Sequence, residues 1–274
     1  MKVRVYAVLL GLFIIAAGGV VAQDDFTSSG AINRSDENGL RQGPWEKTYP
    51  DGTLMYRANF LDGKPVGEML RYHPGGKLMA RVVYDAEGVN GKGELFDENG
   101  LKVAEGCYIG SDKTGEWRFY NSKGDLLTKE NYKNNLKDGE SRSYYQSGRP
   151  ASLRMWRAGV LHGAEIIWYP SGSKRLTASY EDGELHGAYT VYYENGHQEV
   201  FGRYNKGKMD GPWFFLDSFG KEEYRLNYKN GVADEQELLE RREDERFREF
   251  EKNRGRIKDP EDYRNDPDSY MMRQ

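Results

Sequence analysis

Imidazoles, thiolates and paired carboxylates carry most side-chain chemistry, and this chain offers them sparingly. His162 and His186 stand in near-identical settings, Val-Leu-His-Gly-Ala and Glu-Leu-His-Gly-Ala, and invite a metal reading. Two ligands of one zinc ion must converge on bonds of about 2.1 Å. Equivalent residues of neighbouring strand pairs stand about 10 Å apart. Both histidines are therefore expected to be structural, with no metal site. His73 and His197 flank turns and have no partner visible in the sequence. The single cysteine, Cys107, can build neither an intramolecular disulfide nor a multi-thiolate centre, and is expected to be packed away. No G-x-S-x-G elbow, P-loop or dinucleotide fingerprint occurs. The expectation is a non-enzymatic chain without a cofactor.

Two other features stand out. Glu130 and Arg154 occupy one place in the pattern described below that is otherwise small or apolar. They either pair across a sheet or face solvent. The pairs Tyr144-Tyr145, Trp168-Tyr169 and Tyr192-Tyr193 put aromatics side by side. Adjacent strand residues face opposite sides, so one of each pair should be exposed or lie over a loop. Tyr145, Tyr169 and Tyr193 are thus the candidate partner-binding residues, a ladder of amphipathic rings suited to a protein or glycan surface. The alternative is a bulge that lets both members pack.

The elements that must position these residues follow from a repeat. Glycine recurs every 24 residues at 43, 67, 91, 115, 139, 163, 187 and 211. A second series follows at 52, 76, 100, 124, 148, 172, 196 and 220. An aromatic closes each unit: Phe60, Tyr84, Tyr108, Tyr132, Trp156, Tyr180, Tyr204 and Tyr228. Each unit reads as strand, glycine turn, strand, with alternating small or apolar residues such as Tyr56, Ala58 and Phe60 on one face. Arg57, Asn59 and Arg81 should face water. One hairpin cannot bury its own face, but stacked hairpins can. The fold class expected is all-β: an elongated single-sheet meander of stacked β-hairpins, roughly 75 Å long at about 4.8 Å per strand. Trp45, Trp117, Trp156, Trp168 and Trp213 fall on repeat positions and read as packing residues. The third unit departs most, with Gly93 where units 1, 2, 4 and 8 carry Trp or Met, and a weak spot or bend is expected there.

The start Gly115-Glu-Trp-Arg-Phe-Tyr120, the Asn195-Gly196 turn and the linker Tyr180-Glu-Asp-Gly-Glu-Leu-His-Gly187 resemble the MORN repeat. Gly187-Ala-Tyr-Thr-Val-Tyr-Tyr-Glu-Asn-Gly196 is similar to its bacterial variants. The likeness covers Gly39 to about Gly231. It implies the hairpin array and a role in protein association. Lipid binding is the second role it implies, and some bacterial variants are identified as antitoxins of toxin–antitoxin pairs.

Aromatic content of 13% with 20 Tyr argues against disorder, while 37% hydrophobic residues and 33 Gly suit a thin, turn-rich architecture. Residues 39–233 carry 27 basic and 26 acidic side chains. That balance excludes the basic excess that nucleic acid recruits and any polybasic membrane patch. Residues 1–22 have the form of a signal peptide, with Lys2 and Arg4 before an apolar run and Val20-Val21-Ala22 at the end. The apolar run is also close to spanning length, so an uncleaved membrane anchor is the alternative. Either places the rest outside the cytoplasm. Residues 23–38 are expected to be a flexible segment and 39–232 the array. Residues 233–256 are expected to form a charged capping α-helix over the open sheet edge, and 257–274 a loose tail. The function expected is an exported protein-binding or scaffold module of the cell envelope, with lipid association or an antitoxin-like role as alternatives.

Overall fold

The structure, a computed structural model, describes residues 31–234 together with Arg248. Strands β1 (Arg34–Ser35), β2 (Arg41–Thr48), β3 (Leu54–Leu61), β4 (Lys64–Tyr72), β5 (Leu78–Tyr84), β6 (Asn90–Phe96), β7 (Lys102–Ile109), β8 (Asp112–Tyr120) and β9 (Leu126–Lys133) form the first half. Strands β10 (Leu136–Tyr144), β11 (Pro150–Arg157), β12 (Val160–Trp168), β13 (Lys174–Glu181), β14 (Glu184–Tyr192), β15 (Gln198–Asn205), β16 (Lys208–Leu216), β17 (Glu222–Lys229) and β18 (Val232–Ala233) form the second. Each pairs antiparallel with the next, giving one open 18-stranded meander.

The glycine series explain its connections. Number each unit from its first glycine, so that unit 4 starts at Gly115 and its position 3 is Trp117. At Leu61–Lys64 the two linking residues, Asp62 (φ 50°) and Gly63 (φ 79°), both have positive φ. This is the two-residue turn whose twist matches its strands. The other turn has three residues: the Tyr49 N–H donates to Thr53 O (2.8 Å) and the Gly52 N–H to Tyr49 O (2.9 Å), with Gly52 left-handed. The repeat glycine itself sits in a bulge. Ala58 opposes Met69, but Asn59 opposes Val66, so Gly67 and Glu68 are extra residues on their strand.

Unit 3 differs from the others in its turn and its register. The turn before it runs through Asp85–Asn90, with positive φ at Gly88. Tyr84 then pairs squarely with Gly91 and no bulge forms. The next glycine of the series would fall at 235, where the chain carries Glu.

Positions 3, 5, 14, 16 and 18 share one side of the sheet, here face A. Positions 4, 6, 15 and 17 share face B. The buried residues lie on face A: Ala58, Val82 and Leu226 at position 16, Trp117 and Trp213 at position 3, Phe60 and Tyr228 at position 18. Small partners make room for the tryptophans. A Cβ on Gly106 or Gly202 would lie 2.3 Å from the Trp117 or Trp213 ring.

Two boundaries shift. Residues 34–35, expected in a flexible segment, form the edge strand β1, because the Asn33 N–H donates to Pro44 O and the Trp45 indole to Arg34 O. Ala233, expected to open the capping helix, pairs with Tyr228 in β18 and is buried. Apart from Ala233, Asp234 and Arg248, the expected helix of 233–256 lies outside the described residues. So do the leader of 1–22 and the tail of 257–274.

Candidate functional site

The three candidate tyrosines occupy position 7, directly after a register shift in each hairpin. All are half-buried. Tyr145 donates its hydroxyl to Trp168 O (2.5 Å), Tyr169 to Tyr192 O (2.8 Å) and Tyr193 to Leu216 O (2.9 Å). Burial pushes their phenols above the usual range. Each hydroxyl thus straps one hairpin turn to the next. Tyr49 does the same to Tyr72 O, and His73, which showed no partner in the sequence, bonds Phe96 O through Nε2. Aligning position 7 across units would have found both. Asp97, Asn121 and Asp217 break the ladder by turning inward to accept N–H bonds of their own turns.

His162 and His186 also bind within the array. Their Nδ1 atoms accept from Asp182 N (3.5 Å) and Lys206 N (3.4 Å), twenty residues on. No group of three or more metal-ligating side chains occurs among the described residues. Cys107, expected to be packed away, is exposed. It sits at position 17 on face B and lines a charged groove of about 620 Å³ with Arg81, Glu94, Glu105 and Arg118. The Lys102 ammonium and the Tyr120 hydroxyl hold the Glu105 carboxyl below its ordinary value.

Glu130 and Arg154 do not pair with each other, because Ser141 stands between them in the sheet. Each has another partner. Lys137 Nζ and the Tyr132 hydroxyl donate to the two oxygens of Glu130 (2.7 and 2.6 Å). Arg154 Nε and the Tyr180 hydroxyl donate to those of Glu165 (2.6 and 3.0 Å). Burial, reinforced by Glu165, pushes the Tyr180 phenol up to about 12. Direct cross-strand neighbours then run Trp117, Glu130, Ser141, Arg154, Glu165, Ala178. Beside them runs a second row, Thr128, Ser143, Ser152. Along positions 3 and 16 of face A, which are apolar or glycine at both ends, the sheet is polar across β9–β12.

Face B changes character in the opposite sense. At positions 4 and 15 the early units carry charges: Glu46 and Arg57, Glu94 and Glu105, Arg118 and Lys129. From β11 onward the cross-strand row reads Leu153, Ile166, Thr177, Thr190, Phe201, Phe214. Phe201 and Phe214 stack with centroids 4.6 Å apart. Leu70 interrupts the charges of the first half, and Arg225 closes the row of the second.

The family described as MORN repeat variant matches over residues 65–86, 113–134 and 185–197, each match starting two residues before a repeat glycine. No curated protein matches the chain. Among solved structures, a porin-like protein from Bacteroides uniformis ATCC 8492 is 8% identical, with 69% of this chain and 91% of that one covered and a TM-score of 0.18. A TcdB2-TccC3-Cdc42 structure is 11% identical, with 65% of this chain and 13% of that one covered and a TM-score of 0.15. At those scores neither likeness carries an argument.

Proposed function

The chain is a MORN repeat protein, and from that premise we propose that it is an exported, non-enzymatic protein-binding or scaffold module of the cell envelope. The observation that carries this reading is the row on face B with its two apolar pairs. A single-layer sheet needs only one face for its core, and face A supplies it. The pairs Leu153–Ile166 and Phe201–Phe214, on either side of Thr177 and Thr190, place apolar side chains on a face that solvent would otherwise claim, as recognition surfaces do. The signal-peptide form of residues 1–22 supports export, with retention of that segment as an anchor as the alternative.

Membrane lipid is the second reading, because the same row could enter an interface. Near-neutral charge over residues 39–233 gives anionic bilayers little to attract. The test uses the chain from residue 23 onward, as bait on an envelope fraction and in flotation with phosphatidylcholine–phosphatidylglycerol vesicles. Specific capture of a protein that Phe201→Lys abolishes, without flotation, is expected. Flotation lost on the same substitution would replace the protein reading with the lipid one.

A further inference from the structure

The polar tract of β9–β12 is the strongest departure of this molecule from its own pattern. The repeat supplies internal controls. Position 16 is Ala58, Val82, Ala178 or Leu226 elsewhere, and position 3 is Trp45, Met69, Tyr189 or Trp213. The fold therefore has apolar solutions for both places. Units 4–6 instead carry two carboxylates, and Glu165 is only 6% exposed. A buried carboxylate loses hydration that ion pairing only partly restores, so stability alone does not select it. The same patch holds Trp156 Nε1, a buried donor without an acceptor among the described residues.

The vertical order of the charges indicates what the tract recognises. The Arg154 side chain is 43% exposed over Glu165 at 8%, and Lys137 is 32% exposed over Glu130 at 13%. In both pairs the cation is outward and the carboxylate beneath. Both carboxylates are fully engaged, each taking two donors. Arg154 uses Nε alone and keeps its two terminal nitrogens without a protein acceptor among the described residues. The tract thus presents donors and positive charge to solvent, fixed from below. A planar carboxylate matches a guanidinium edge through two parallel bonds. A phosphate dianion would meet stronger repulsion from Glu130 and Glu165 beneath.

We infer that the β9–β12 tract of face A is a carboxylate-binding site in which the terminal nitrogens of Arg154, held by Glu165, grip an Asp or Glu side chain of a partner polypeptide. This site lies on the face opposite the Leu153–Phe214 row and goes beyond the protein-binding reading, on which it rests for a polypeptide being the partner. The walls of the site, Phe119 on one side and Ile167 on the other, are half-buried and offer apolar contact to residues flanking that carboxylate.

The test is calorimetric titration of the full chain with a five-residue peptide bearing a central glutamate, its glutamine counterpart, and inorganic phosphate. The variant is Arg154→Ala with Glu165→Tyr, which installs the Ala–Tyr combination that Ala178 and Tyr189 already form. Circular dichroism checks that it folds. The glutamate peptide is expected to bind at least tenfold more tightly than the glutamine peptide or phosphate, and the folded variant to lose that preference. Equal affinity for the two peptides, unchanged binding by the variant, or tighter binding of phosphate would overturn the site. If the peptide fails while the wild-type chain still captures an envelope protein, the carboxylate site falls and the scaffold reading stands. If the double variant does not fold, Arg154→Lys, which keeps the charge but loses the bidentate edge, is expected to weaken the glutamate peptide at least fivefold; no change there would also overturn it.

Discussion

Replacing Arg154 alone should harm this protein, whereas replacing Arg154 and Glu165 together should not. Arg154→Ala leaves Glu165, 6% exposed, with only the Tyr180 hydroxyl at 3.0 Å. Breaking a buried pair from one side costs about 3–5 kcal/mol, and the partial exposure of Arg154 argues for the lower end, about 3 kcal/mol. The double change, Arg154→Ala with Glu165→Tyr, removes the stranded charge and fills the place as Tyr189 does between Ala178 and Gly202. Exchange of a buried ion pair for apolar packing is neutral or stabilising by about 1–4 kcal/mol. The assay is urea unfolding of the three proteins followed by fluorescence and circular dichroism, since arrays of this kind need not unfold in one step. The single variant should fall well below wild type and the double variant should match or exceed it. A double variant as unstable as the single one would refute the argument that the fold has no need of these charges.

Tyr169→Phe removes the strap to Tyr192 O and should cost about 1 kcal/mol, read from the urea midpoint. Gly106→Ala drives a methyl to 2.3 Å from the Trp117 ring and should destabilise by about 1–3 kcal/mol, with a visible change in tryptophan emission. Burial raises the phenols of Tyr108, Tyr189, Tyr204 and Tyr228 above their ordinary value of 10, and that of Tyr180 to about 12. The folded state then holds those protons more tightly than the unfolded one, so stability is complete below pH 10 and declines as pH rises from 10 through about 12, in melts across that range. Cys107 is exposed and should react with a maleimide in the native protein as completely as in urea.

The array was legible because its glycines do two jobs that no other residue does cheaply. Gly67 and its equivalents other than Gly91 take left-handed φ, and Gly52 and its equivalents close turns, so the 24-residue spacing is a record of backbone geometry. The buried face was legible from Ala58, Phe60 and Val82, whose alternation marks one side of a strand. The other side was not. Alternation assigns the second face to water by default, and only the cross-strand register shows that Leu153, Ile166, Phe201 and Phe214 fall in one row. Glu130 and Arg154 announced themselves by breaking an apolar position. Their partners did not, because Lys137 and Glu165 lie on neighbouring strands seven and eleven residues away. The tyrosine ladder was seen but its hydroxyl partners were not, since those are backbone carbonyls that every residue possesses.

The central claim is that recognition of a polypeptide resides in the second half of the sheet. Photo-crosslinking from repeat-equivalent positions tests it most directly. Glu46 and Thr190 both occupy position 4 on face B, in units 1 and 7. A photoreactive residue at Thr190 should yield a protein adduct in the envelope fraction, and the same residue at Glu46 should not. Equal adducts from both places, or an adduct from Glu46 alone, would contradict the account.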